Sequence, residues 1–248
     1  MFDQLEFKSW VKELSAENSA ARPSSAVGQI DTPAVEIVVK PVQANIVKNY
    51  QIVLTEAHLE DWIEKIKAAE LTAVDTETTS LDYMIADLVG ISVAVEPGEA
   101  AYIPFGHDYL GVPEQLSREL VLAALKPLLE DPGIKKVGQN LKYDMSIFAQ
   151  HGIALQGIEF DTMLESYVLD SVATRHDMDS LADKYLGEQT IKFADVAGKG
   201  AGQLTFNQIA LEIAGPYAAE DADITLRLHQ VLWPQVSAHT SLGKVFTD

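Results

Sequence analysis

Apolar and polar positions follow two periods along most of this chain. From Tyr50 onward, short runs alternate with period two, and longer runs place apolar residues every third or fourth position. Residues 50–55 (YQIVLT) predict a strand and residues 58–70 (HLEDWIEKIKAAE) a helix with Leu59, Trp62 and Ile66 on its inner stripe. Three strands follow at residues 71–78 (LTAVDTET), 88–95 (LVGISVAV) and 99–105 (EAAYIPF), joined by short turns. The run 117–131 (SRELVLAALKPLLED) predicts a helix stopped near Pro132 and Gly133. A short strand at 135–139 (KKVGQ) leads into a helix at 141–152 (LKYDMSIFAQHG) closed by Gly152. The remainder reads as helices: 161–171, 179–187, 206–214, and 216–233 opened by Pro216 at its first position. The fold class expected is α/β, a mixed sheet flanked by helices.

The first 48 residues follow another pattern. Residues 1–16 carry apolar points at Leu5, Phe7, Trp10 and Leu14 and predict a short amphipathic helix. Residues 17–48 are rich in Ala, Ser, Pro and Val and predict a linker with little structure. Residues 49–248 then form the one folded domain.

Composition narrows the class. The 248 residues include no cysteine, so disulfides and thiolate metal sites are excluded, and a reducing cytoplasm is the expected compartment. The N-terminus is too charged for a signal peptide, and no apolar run reaches the roughly 18 residues of a membrane span. The formal charge is −19, with 37 acids against 18 Lys plus Arg. That argues against a strong autonomous nucleic-acid binder. It permits an enzyme whose acids hold cations that in turn meet phosphate.

Three acidic motifs sit where acids are costly. In residues 71–78, Leu71, Ala73, Asp75 and Glu77 share one strand face, which starts apolar and ends in two carboxylates. Open α/β sheets bind ligands at such strand ends. Taken alone, the pattern also describes a strand running out into solvent. Asp144 lies on the apolar stripe of Leu141, Ile147 and Phe148; an acid at a helix start that reaches water gives the same pattern. Tyr217 and Asp221 stand one turn apart and continue into Ile224, Leu228 and Val231. Four inward carboxylates without partners would repel and desolvate one another. Two hard divalent cations relieve both costs, with Mg²⁺ favoured by an all-oxygen ligand set and Mn²⁺ or Zn²⁺ as alternatives.

These residues also carry a resemblance. VDTETTSLD, GQNLKYD and YAAEDAD resemble the three motifs of the DEDD exonuclease superfamily, and the tyrosine four residues before the last Asp marks its DEDDy branch. AAYIPFGHDYL, FDTMLESYVLDS and RHDMDSLADKYLG extend the likeness over roughly residues 50–235, to the 3′→5′ proofreading domains of bacterial DNA polymerase I, the Klenow-fragment type. The resemblance implies a ribonuclease H-like fold and release of 5′-mononucleotides from a DNA 3′ end. It implies that Asp75, Glu77, Asp144 and Asp221 hold two metals and that Tyr217 orients the attacking water. It further implies that Leu81 and Phe193 wedge against the terminal bases, and that Gln139, Asn140, Lys142, Tyr143 and Arg175 contact the strand. On the same resemblance, residues 1–16 look like the tail of an upstream 5′-nuclease module. The partners it implies are a single-stranded DNA 3′ end and the polymerase and 5′-nuclease domains of a parent chain, the domain itself being a monomer with no membrane contact.

Other features read as structural. Asp161 and Thr162 with Glu165 look like a capping box, and Asp179 like an N-cap. The glycine-rich residues 197–203 read as a loop, with Lys199 within reach of phosphate. His107 lacks a second ligand at metal spacing and reads as surface or satisfied structure, while His176 beside Arg175 approaches substrate. Two rival readings remain: an RNA-trimming exonuclease of the ribonuclease D kind, and a catalytically silent spacer domain.

Overall fold

The structure is a computed structural model that describes residues 46–172 and 175–247. The helix and most of the linker expected before residue 46 lie outside the described residues. Six strands form one mixed sheet in the order β1-β4-β3-β2-β5-β6. They are β1 (Asn49–Ile52), β2 (Thr72–Thr78), β3 (Leu88–Glu96), β4 (Glu99–Pro104), β5 (Lys136–Gly138) and β6 (Ile158–Asp161). β2, β3 and β4 form an antiparallel meander, while β1 on β4, and β5 and β6 beyond β2, are parallel additions.

One face of the sheet carries helices α1 (Glu56–Ala68), α2 (Arg118–Leu129) and α3 (Leu141–Gln150). Trp62, Leu125, Ile147 and Phe148 from these helices bury against Val74, Ile91 and Val93 of the strands. The Trp62 indole N–H finds an acceptor in Gln51 Oε1 at 2.9 Å, so this residue is helix core with a satisfied polar tip. The opposite face is crossed by the long helix α7 (Leu211–Ala238), which packs Ala219, Ala222 and Leu226 on Ala73, Ala94, Ala100 and Val137. Small residues on both sides of that contact bring the helix backbone close to the sheet. Between these elements lie α4 (Thr162–Leu169), α5 (Met178–Leu181, continued by a π turn to Leu186) and α6 (Phe193–Val196), with α8 (Thr240–Thr247) closing the chain.

Several boundaries differ from the sequence reading. α7 does not begin at Pro216: it begins at Leu211, and Pro216 lies inside it. Burial of Leu211 and Ala214 against Phe206 and Ile209 outweighs the one backbone hydrogen bond that proline forfeits near a helix start. The helix expected at 206–214 is a 3₁₀ turn at Phe206–Gln208 followed by the first turn of α7. Strand β6 was not foreseen. The N-cap of α5 is Asp177, which accepts from Ser180 N at 3.0 Å; Asp179 instead accepts the Thr190 hydroxyl. Asp161 does cap α4, but Glu165 does not reach back to complete a box; it turns to His229 Nδ1 at 2.7 Å. His107 is satisfied structure: its Nδ1 faces the carbonyl of Ile209 at 3.0 Å and its Nε2 the Tyr102 hydroxyl at 2.8 Å.

Candidate active site

The geometry of the sheet explains how the acids meet. Ala73, Asp75 and Glu77 share the face of β2 on which α7 lies, so Asp221 on α7 arrives above them. Carboxylate oxygens of Asp75, Glu77 and Asp221 all lie within 4.8 Å of one another. Asp144 arrives from the other side. It sits on α3 against the opposite face, at the first turn of the helix, and is 2 % exposed. There Thr76, the residue between the two strand acids, donates its N–H and its hydroxyl to Asp144 Oδ1 at 3.0 and 2.5 Å. Two opposed helices thus deliver one carboxylate each to the carboxyl end of one central strand.

The four carboxyls are buried and repel one another. Burial pushes the Asp75 carboxyl up to about 7, with the neighbouring polar groups of Thr76 and Ser92 opposing the shift only in part. Glu77 is raised well above the ordinary carboxylate range by burial, then by the charges of Asp75, Asp221 and Asp144. Asp144 and Asp221 are raised by burial first and by Asp75 second. Glu77 Oε1 is buried and has no hydrogen-bond partner. A buried carboxylate oxygen with no donor beside it, among like charges, is a donor suited to a hard cation. The donor set is all oxygen, so the residues present fit a hard divalent metal.

Tyr217 stands at the edge of this cluster. Burial, then the charges of Asp221, Glu77 and Asp75, raise its phenol above its ordinary value. Its ring packs against Phe206 and Phe193, at centroid distances of 5.9 and 6.1 Å. The acids open into a cleft of about 830 Å³ whose walls include Leu81, Gln139, Asn140, Tyr143 and Phe193. Leu81 is 95 % exposed at its mouth, free to meet a ligand. The Tyr143 hydroxyl is held by Ser80 O and Thr78 Oγ1, which pins the loop after β2 to α3. Lys142 and Arg175 stand outside the cleft lining. Lys142 is exposed on α3, and Arg175 extends into solvent and pairs with Asp177 at 3.2 Å. Lys199 is exposed in the glycine-rich segment, and His176 Nδ1 lies 2.9 Å from Ser166 Oγ.

The sequence reading missed Thr76 and Phe206. Thr76 lies between two marked acids, and that adjacency was the available signal. Phe206 was placed only within the helix expected at 206–214, although it lines the cleft together with Gln203, Leu204 and Thr205 just before it.

The fold is that of ribonuclease H-like exonucleases. Brucella melitensis NrnC bound to pGG is 18% identical, aligns over 82% of this chain and 87% of its own length, and gives a TM-score of 0.58. Trypanosoma brucei RNase D in complex with RNA U12 is 17% identical over 75% of this chain and 62% of its own, with a TM-score of 0.59. The sequence is more specific. Residues 50–237 match the 3′-5′ exonuclease family found in A-type DNA polymerases, and the chain belongs to that family. DNA polymerase I of Pseudomonas aeruginosa is 56% identical over the whole of this chain, which spans 26% of that relative's length. Among the described residues no helix is long and apolar enough to cross a membrane.

Proposed function

We propose that this domain removes nucleotides from the 3′ end of single-stranded or frayed DNA, releasing 5′-mononucleotides, as the proofreading part of a DNA polymerase I. The observation that carries the reading is the meeting of Asp75, Glu77 and Asp221 within 4.8 Å, with Asp144 held by Thr76 on the other flank. Asp75, Glu77 and Asp221 would hold one divalent ion, and Asp75 with Asp144 a second, Mg²⁺ being favoured by the oxygen donors. When bound, two such ions supply charge neutralisation and Lewis acidity at phosphorus.

The chain's own residues account for the rest. Tyr217 would hold a water through its hydroxyl. Phe206 and Phe193 fix its ring. Leu81 and Phe193 offer apolar surface against the last bases, and Gln139 and Asn140 offer amides to the strand near its end. Lys142 and Arg175 serve phosphates further along, outside the cleft. An excess of 37 acids over 18 Lys plus Arg fits a domain that receives its strand from a neighbouring polymerase domain.

DNA is favoured over RNA because the 56% identity is to a DNA polymerase over the whole chain, while the likeness to RNase D is one of fold. A silent spacer is disfavoured by retention of every carboxylate. Matched DNA and RNA oligonucleotides of one sequence, digested side by side with Mg²⁺, test the reading. Faster shortening of DNA is expected, and equal or faster shortening of RNA would favour the ribonuclease D-like alternative.

A further inference from the structure

The turn that joins β5 to α3 is unusual. It runs Gly138-Gln139-Asn140-Leu141, and Asn140 takes the left-handed conformation at φ 62°, alone among the described non-glycine residues. Asn140 sits at the N-cap position of α3 but makes no side-chain cap. The helix carrying Asp144 therefore starts from a costly backbone conformation with its own cap missing.

The missing cap comes from the next strand. Asp161, at the end of β6, is 7 % exposed and accepts four backbone N–H groups. Asn140 N and Leu141 N reach it at 3.2 and 2.8 Å, and Met163 N and Leu164 N at 3.0 and 3.2 Å. One carboxylate thus caps two helices, α3 and its own α4. Its neighbour Thr162 donates its hydroxyl to Gly138 O at 3.2 Å and also meets the Gln139 side chain. One turn on, Glu165 anchors α4 to α7 through His229. The start of α4 is therefore fastened both to the helix that bears Asp144 and to the helix that bears Asp221.

We propose that Asp161 is a positioning residue for the Asp144 arm of the site, setting where α3 begins and hence where Asp144, Gln139 and Asn140 stand relative to Asp75. This rests on the exonuclease reading above. An ordinary N-cap would need two N–H groups from one helix; the second pair, from a strained turn one strand away, is what a cap of α4 alone does not require.

The discriminating variant is Asp161→Ser. Serine caps α4 about as well as aspartate, yet it has no second oxygen for Leu141 N, and its shorter side chain draws its one oxygen back from Asn140 N. Asp161→Asn is the second variant should Asp161→Ser not fold; it keeps the shape, but an amide nitrogen in place of Oδ2 faces Leu141 N and removes that acceptor. Ser117→Ala, which removes the distant cap of α2 on Leu120 N, controls for simple loss of stability. The readouts are Mn²⁺ binding followed by electron paramagnetic resonance, and single-turnover cleavage of a DNA oligonucleotide. Asp161→Ser should keep one ion at wild-type affinity and bind the second roughly 10–100-fold more weakly. Its cleavage rate should fall on the order of 10²-fold, with oligonucleotide affinity little changed. Ser117→Ala should change neither. Two ions at wild-type affinity and a wild-type rate in Asp161→Ser, with only a lower melting temperature, would overturn the proposal. A wild type that binds both ions yet releases no nucleotide would defeat the exonuclease reading, while the Mn²⁺ comparison would still decide the role of Asp161.

Discussion

Thr76 donates both its backbone N–H and its hydroxyl to the same oxygen of Asp144, at 3.0 and 2.5 Å. The residue between the two strand acids therefore holds the acid that comes from the opposite face. Thr76→Val keeps the branched shape and the N–H but deletes the hydroxyl. A hydrogen bond to a charged group contributes about 1.5–3 kcal/mol. If that energy holds Asp144 in place, the single-turnover rate should fall by roughly 10–100-fold with the fold intact. An unchanged rate would show that the backbone N–H alone is enough.

Tyr217 gives a second prediction. Tyr217→Phe keeps the ring against Phe206 and Phe193 and removes only the hydroxyl. Groups that orient or deprotonate water typically contribute about 10²–10⁴-fold. The chemical step should slow by that order, while strand affinity and metal affinity stay near wild type. Loss of metal binding in this variant would move Tyr217 from water orientation to the cation cage.

The acids should cost stability when no cation is present. Glu77 is raised first by burial and then by the charges of Asp75, Asp221 and Asp144, so the cluster opposes folding in its ionised form. Asp144→Asn or Asp221→Asn removes one charge. Each should abolish cleavage or reduce it severely, yet leave the metal-free protein as stable as wild type or more so. Mg²⁺ should raise the melting temperature of wild type more than that of either variant, since a ligand stabilises only the state that binds it. Melting curves with chelator and with Mg²⁺ decide this. Clear destabilisation of both variants in chelator, with an equal Mg²⁺ shift in all three proteins, would make these acids structural.

Most of the site was legible because acids on an apolar strand face or helix stripe are expensive. Asp75, Glu77, Asp144 and Asp221 stood out only together, since each motif alone also describes an acid at the edge of an element that reaches water. Thr76 did not stand out, because a threonine in a strand costs nothing and signals nothing. The strand end and the helix order were visible in the periodicity, but β6 was not: four residues, IEFD, are too few to show a period. The start of α7 was misread because Pro216 is a strong local signal, and the burial of Leu211 and Ala214 that overrides it is a tertiary fact. Asp161 was recognised as a cap of its own helix. Its hold on a second helix depends on β5 and β6 being neighbours, which no local pattern contains.

A pH prediction lies away from the acids. Lys136, first in β5, is 1 % exposed, and its ammonium donates to Asp131 O and Ile134 O at 3.0 and 2.7 Å. Burial pushes it down to about 8 from an ordinary 10.5, and the charge of Asp131 opposes the shift only in part. Between those values the folded chain binds fewer protons than the unfolded chain, so this group makes stability rise as pH rises. Lys136→Met has nothing to titrate there. The melting temperature of wild type relative to Lys136→Met should therefore increase from pH 7 to pH 10, and a difference independent of pH would show that the ammonium stays solvated.

The most direct test of the central claim uses a 5′-labelled single-stranded DNA oligonucleotide, incubated with the wild-type chain in Mg²⁺ and in excess chelator. The account predicts a ladder shortening one nucleotide at a time from the 3′ end in Mg²⁺, with 5′-mononucleotides as product, and no shortening in chelator or with Asp221→Asn. Undiminished shortening in chelator, or by Asp221→Asn with Mg²⁺, would contradict it, because the carboxylates of β2 and α7 would then not be holding the ions that the chemistry needs.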